Sequence, residues 1–436
     1  MKYLNTTLII LTVILMSSLN AQDILSLDQA IATAMQNNFD IQLANNNLVI
    51  ADNNQSLQNS GYLPTVTGQG NANYSRNNAF VINQNDEEFS IDGIETTSYG
   101  ASVALNYTLY SGGKRKQQYD KLKKAYELSD TQRQLQIDNT IFNVYNSYYS
   151  IAKSSIQLEI LEEAFEISKQ RLIRTEYQAE YGQKTSLDVL NAQVDVNNDS
   201  INLINSQIAL GNAKRQLNFL LGENINREFE VDETIEVNSL LDFESIQANM
   251  TSNNLQSKQI EINQAISEYD LKINQTGWMP SVSTNLSYGL NNSQNGPTGL
   301  FATQNVNGLN AGINLNWNIF DGGATQVRVQ NAKIGIENQM LTKAQLDLNL
   351  NTELANTWAN YTNQLILIQS AGLNLKVAEQ NFLKTQERYN LGQITSIDFR
   401  QAQLNLINAK VNLTNAKFGA KTAEIQLKKL EGKLIE

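Results

Sequence analysis

The sequence predicts an α+β membrane protein, with strands that close a barrel only when copies of the chain join and helices far too long for a globule. Three observations carry this. The chain is duplicated internally, each copy holds two alternating strands, and each copy holds a run of 67 residues without proline. Composition narrows the function. The 436 residues include no His and no Cys, which removes the commonest general base and metal ligand along with disulfides and thiolate chemistry. A formal net charge of -11 argues against a nucleic-acid partner, whose phosphates call for clustered Lys and Arg. An enzyme is disfavoured, and no cofactor or metal is expected.

The first element is an export signal. Lys2 precedes an apolar run from Leu8 to Met16, and Ser17, Ser18 and Ala21 supply small residues for cleavage after Ala21. Residues 1–21 are therefore read as a signal peptide, with no Cys for a lipid anchor at the cleavage point. A spanning helix is the competing account, but it needs about 20 apolar residues. No later segment has such a run, so a mature chain that enters a membrane must do so with strands.

The duplication sets the domain plan. Gly61-Tyr62-Leu63-Pro64 returns as Gly277-Trp278-Met279-Pro280, and Asn106-Tyr107-Thr108-Leu109-Tyr110-Ser111-Gly112-Gly113 returns as Asn316-Trp317-Asn318-Ile319-Phe320-Asp321-Gly322-Gly323. Tyr181-Gly182-Gln183-Lys184-Thr185-Ser186-Leu187-Asp188 returns as Leu391-Gly392-Gln393-Ile394-Thr395-Ser396-Ile397-Asp398. Three matches in one order, each roughly 210 residues apart, mark a repeat. Residues 22–221 form the first copy, 222–241 a linker that makes a small subdomain around the middle of the rod, and 242–436 the second copy. Pro64 and Pro280 sit where helix must give way to strand.

The strands alternate. Leu309, Ala311, Ile313, Leu315, Trp317 and Ile319 oppose Asn310, Gly312, Asn314, Asn316 and Asn318, and Ala101 to Leu109 behaves likewise. The partners, Val66 to Tyr74 and Val282 to Tyr288, are weaker. A soluble sandwich fits the alternation as well as a membrane barrel does. Strands of about ten residues favour the barrel, as do Tyr107, Tyr110, Trp317 and Phe320 gathered near one end. Long polar loops are expected at 75–98 and 291–308. Four strands cannot close a barrel, so copies must join, two giving 8 strands or three giving 12.

Lys114 to Glu180 lacks both proline and glycine, and Ala324 to Asn390, also 67 residues, lacks proline and holds only the glycines Gly335 and Gly372. Each spans about 100 Å as a helix, against an average globular helix of about 11–12 residues. In the shorter helices that follow, Val189, Val196, Leu203, Leu210 and Leu217 recur every seven residues beside a second row, Val194, Ile201 and Ile208. The second copy repeats both rows with Phe399, Leu406, Leu413, Ala420 and Leu427, and with Leu404, Val411, Phe418 and Ile425. A strict heptad implies supercoiling. Two rows about 140° apart suit a helix flanked on both sides, as in a closed cylinder of helices; an ordinary long bundle is the alternative.

Gly182 and Gly392 fit helix C-termini, and Thr185 to Asp188 and Thr395 to Asp398 are capping-box starts. Capping explains both aspartates without any function. In a tube, these turns would lie at the free end, where symmetry-repeated carboxylates form a cation-favouring ring. Tyr148 and Trp358 hold matched positions and are expected in the core.

In this order and twice over, these motifs resemble the TolC-type outer-membrane efflux proteins, across nearly all of the mature chain. The resemblance implies a homotrimer in the outer membrane, with a 12-stranded barrel continuing into a long helical barrel that crosses the periplasm. It implies no chemistry, but an exit duct for an inner-membrane efflux pump or type I secretion system, reached through a periplasmic adaptor (membrane fusion) protein. By position, Asp188 and Tyr389 match gate residues and Asp398 the acidic constriction, while the family's gate arginine falls at Ile394 and its second acidic ring at Gln401. The adaptor would meet the tips at Gly182, Gln183, Thr185, Gly392, Gln393 and Thr395. A secreted or periplasmic coiled-coil scaffold or adhesin, with its strands in a soluble sheet, is the alternative from another class.

Overall fold

A computed structural model of the chain describes residues 24–238, 241–296 and 301–434, so the export signal and Pro297 lie outside the described residues. In chain order the elements are β1 (Ile24–Leu25), α1 (Leu27–Asn37), α2 (Phe39–Asn54), β2 (Thr65–Ile82), β3 (Glu88–Tyr110), α3 (Lys114–Glu180), α4 (Ser186–Leu221) and β4 (Glu230–Val231). There follow α5 (Phe243–Asn253), α6 (Leu255–Gln275), β5 (Ser281–Gln294), β6 (Thr303–Asn316), α7 (Ala324–Asn390) and α8 (Ser396–Glu431). Both 67-residue helices have the bounds expected of them. Among the described residues, no helix is long and apolar enough to cross a membrane. The chain forms two compact units, each drawing on both copies of the repeat: residues 47–130 with 260–343, and 1–46 with 131–259 and 344–436.

The first unit is built on one antiparallel sheet in the order β2-β3-β5-β6. Its register joins the weak strands to the strong ones. Val66, Leu105, Leu286 and Ala311 line up across all four strands, and Gly68, Val103, Tyr288 and Leu309 form the next row on the same face. Thr65, Asn106, Asn285 and Gly312 belong to the opposite face, as do Thr67, Ala104, Ser287 and Asn310. Among the described residues no second layer covers the apolar face, where Val103 is 57%, Ile313 74% and Leu315 68% exposed. β2 and β6 are edge strands with no partner among the described residues.

The strands exceed the expected ten residues. β2 runs 18 residues and β3 runs 23, so most of the loop expected at 75–98 is ladder. The turn is short, with the Asn83 side chain accepting from the Asn85 and Glu87 amides at 2.9 and 3.0 Å. The reason is physical: the outer half mixes apolar and polar residues on both faces, with Phe80 and Ile82 on one and Val81 opposite Phe89 on the other, and a register shift between Asn77 and Ala79 breaks the alternation, while a ladder needs only backbone groups. The second hairpin likewise extends to Gln294 and resumes at Thr303. β6 stops at Asn316 rather than Ile319, leaving Trp317 and Phe320 exposed just past the strand end.

The second unit is helical, with a small pairing of β1 and β4. Its packing tests the two heptad rows. In α8, Phe399, Leu406, Ala420 and Leu427 are buried, and so are Phe418 and Ile425 of the other row. In α4, Leu217 is buried, yet Val194, Ile201 and Ile208 are each 56% exposed. The second copy buries most of the first row and the C-terminal half of the second within the chain, with Leu404 exposed; the first copy leaves its second row uncovered. Tyr148 lies in the core, and its hydroxyl donates to the Leu25 carbonyl and accepts from the Asp232 amide, tying β1 and the linker to α3. Trp358 is partly buried against a second core cluster.

A duplicated knot ends the shorter helices. Gly222 closes α4 at φ 67, and a Cβ there would lie 2.4 Å from the Asn37 carbonyl oxygen. Asn38 caps α2 and donates to the Leu220 carbonyl at 2.8 Å. In the second copy Asn254 caps α6, and Gly432 closes α8 beside Asn253.

Candidate functional site

The turns joining α3 to α4 and α7 to α8 are built alike. Gly182 and Gly392 adopt left-handed φ of 73° and 74°. Each opens a Schellman closure, with Gln183 N–H donating to the Gln178 carbonyl and Gln393 N–H to the Arg388 carbonyl. Both capping boxes are complete: Asp188 accepts from the Thr185 amide at 2.9 Å and Asp398 from the Thr395 amide at 3.2 Å, while each threonine hydroxyl accepts in return.

These bonds favour the ionised carboxylates. Backbone and then hydroxyl donation from Thr185 lowers Asp188 below the ordinary 3.8, and Thr395, hydroxyl first, lowers Asp398 in the same way. A depressed carboxylate contributes its stability above the unfolded value and loses it as pH falls through the folded one. Hydrogen exchange of the turn amides, corrected for intrinsic rate, is therefore expected to stay level between about pH 5 and pH 8 and to rise only in acid.

Tyr389 is 6% exposed, stacked on Phe399 with centroids 4.7 Å apart. Its buried hydroxyl has no hydrogen-bond partner among the described residues. The partners of Asp188 come from Thr185, so the structure does not join the two expected gate residues directly. Ile394, where the family's arginine would fall, is partly buried against the cluster holding Tyr389 and Phe399. Gln401 donates to Asn405 at 2.9 Å.

The polar links between the two copies lie elsewhere, on residues that sequence reasoning missed. Arg400 of α8 grips Asp199 of α4 with two bonds of 2.7 Å, and Ser168 of α3 donates to the same carboxylate. Arg171 of α3 pairs with Asp195, which also lies 3.7 Å from the Arg400 Nε. One turn on, Arg174 donates to the Asn390 side chain and carbonyl at 2.6 and 2.7 Å. Gln403 completes the network with a 2.9 Å bond to the Ala164 carbonyl. Beside it opens a cleft of about 320 Å³, lined by Arg171, Asp188, Asp195, Ser396, Arg400 and Gln401. The sequence held one usable signal. At matched positions the other copy has Ala378 for Ser168, Ala409 for Asp199 and Leu190 for Arg400.

A single-layer sheet with one oily face, and paired helices meeting in capped turns, define the class as an outer-membrane channel protein. The family model described as outer membrane efflux protein matches residues 30–223 and 246–433, and the chain belongs to that family. It is 23% identical over 425 residues to the probable efflux pump outer membrane protein TtgC of Pseudomonas putida, covering 93% of this chain and 83% of that protein. To the outer membrane protein TolC of Vibrio cholerae it is 28% identical over 182 residues, a match spanning 42% of this chain and 40% of that protein. The fold is that of the Campylobacter jejuni CmeC outer membrane channel, with TM-score 0.78 and 17% identity over 94% of this chain and 86% of that one. The outer membrane protein VceC of Vibrio cholerae shares it at TM-score 0.74 and 16% identity, over 94% of this chain and 97% of that one. The chain is thus an outer-membrane protein of a channel family, not of an enzyme class, and a secreted scaffold is set aside.

Proposed function

We propose that the chain is the passive exit duct of a tripartite efflux or type I secretion system. Three copies join sheet edge to sheet edge into a 12-stranded barrel, and their helices enclose a periplasmic tunnel. One observation carries this above the rest: a sheet with two open edges and an uncovered apolar face. Unpaired edges are excluded from lipid, so β2 of one copy must pair with β6 of the next. The exposed row Val194, Ile201 and Ile208 supplies the matching seam on the helices.

The exposed tips at Gly182, Gln183, Thr185, Gly392, Gln393 and Thr395 would meet a periplasmic adaptor, which couples the duct to an inner-membrane pump. Asp188, Asp398 and Tyr389 would form the constriction. Arg171, Arg174 and Arg400 would hold it shut by binding one copy of the repeat to the other. The mature halves would be residues 22–221 and 242–436, joined by the linker at 222–241. Conductance of the purified oligomer in a planar bilayer tests the duct: stepwise openings and a heat-sensitive oligomer on gels are expected. A detergent-free monomer would refute it. Asp398→Asn is expected to lower cation preference in the same recordings, because the ring loses its charge while the amide oxygen retains a capping acceptor.

A further inference from the structure

In an acidic protein, one short stretch is strongly basic. Six of the eleven residues from Lys114 to Lys124 are Lys or Arg, whereas the matched stretch of the second copy has only Arg328 and Lys333. Two of the six are neutralised: Lys121 pairs with Asp270 and Lys124 with Glu127, both at 2.6 Å. The other four lack an ion pair among the described residues. The Arg115 guanidinium lies 5.1 Å from the Tyr62 ring and 5.5 Å from that of Tyr107, and the Lys123 ammonium lies 4.3 Å from the Tyr119 ring. Lys114 and Lys116 are exposed.

The setting gives these charges a direction. They begin just after β3 ends at Tyr110, at the end of the sheet where Trp278, Trp317 and Phe320 are exposed. The first turn of α3 has no acidic residue, so three cations face the positive end of the helix unopposed. The second copy meets the same need internally, with Asp321 accepting from the Thr325 amide at 2.8 Å and lying 3.5 Å from Arg328. Aromatic rings interleaved with cations at the end of a membrane sheet suit the headgroup layer, and such cations attract anionic lipid.

We propose that Lys114, Arg115, Lys116 and Lys123, with Tyr62 and Tyr119, form a collar that binds the phosphodiester headgroups of anionic phospholipids on the periplasmic side of the membrane. This rests on the duct reading, in which that end of the sheet faces the periplasm. The test uses the full mature chain, purified in detergent and exchanged into mixed micelles with equal phosphatidylglycerol and phosphatidylethanolamine. Retained lipid is then counted by mass spectrometry. The wild type is expected to enrich phosphatidylglycerol about fivefold, and to lose the enrichment in about 0.5 M salt. K114Q/K116Q/K123Q is expected to retain the two lipids equally, while K114R/K116R/K123R keeps the preference. Wild-type retention at the bulk ratio would overturn the proposal. So would a glutamine variant that forms the oligomer and still enriches phosphatidylglycerol, or displacement of the lipid by inorganic phosphate at equal concentration. Bilayer conductance of the same preparations separates the two ideas: a conducting protein without enrichment sinks the collar alone, and a protein that neither conducts nor enriches takes the duct reading and the collar with it.

Discussion

Arg400→Leu is expected to open the resting duct and to destabilise the helical unit by about 3 kcal/mol or more, because it leaves a buried charge without its partner. The Asp199 side chain is 6% exposed and that of Arg400 is 13% exposed, so solvent cannot replace the missing guanidinium. The repeat itself supplies the control. At the matched positions the other copy places Leu190 and Ala409, an apolar solution to the same helix contact. Arg400→Leu combined with Asp199→Ala imitates it and removes both charges. That double variant is expected to recover most of the lost stability, since replacing a buried pair with packed apolar groups is often neutral. It should nevertheless remain leakier than the wild type, because Arg400 no longer joins α8 to α4. Thermal unfolding and resting conductance in a planar bilayer report the two effects separately. If the single variant unfolds and conducts like the wild type, the network holds neither the fold nor the closed state.

The uneven legibility of this chain follows from the range of the interactions involved. The long helices were legible because their limits are local: Gly112-Gly113 and Gly322-Gly323 precede them, Gly182 and Gly392 end them, and nothing between forbids helix. The capping boxes were legible for the same reason, each lying within four residues. Strand length was not, since the ladder from Ser75 to Ile82 and from Glu88 to Ser98 pairs backbone groups while its apolar side chains, among them Phe80, Val81, Ile82 and Phe89, fall on both faces across a register shift and show no alternation. The Arg400 network was least legible. Its members come from three helices, and Asp195, Asp199 and Arg400 each look like ordinary solvated positions on a coiled-coil flank. Nor does the sequence disclose that Ile394 joins the apolar cluster while the arginines that bridge the two copies, Arg174 and Arg400, sit on α3 and α8.

Ile313→Lys and Asn314→Lys are expected to have opposite outcomes, although they are neighbours on one strand. Ile313 shares its face with Tyr107, Thr284 and the uncovered rows of Val66 and Val103. If lipid lies against that face, a lysine level with Tyr107, between the aromatic end of the sheet and its middle, costs about 1–2 kcal/mol in each copy, and the loss multiplies through an oligomer that needs every sector. Asn314 points to the other face, pairs with Ser283 and donates to the Asn285 side chain at 3.2 Å, where water would solvate a lysine at little cost. The heat-resistant oligomer recovered from outer-membrane fractions is therefore expected to fall sharply for the first variant and to stay near the wild-type level for the second. Equal tolerance of both lysines would mean that neither face meets hydrocarbon. A larger loss at Asn314 would mean that the polar face is the packed one, so the pair of variants reads the direction of the sheet and not merely its sensitivity to charge.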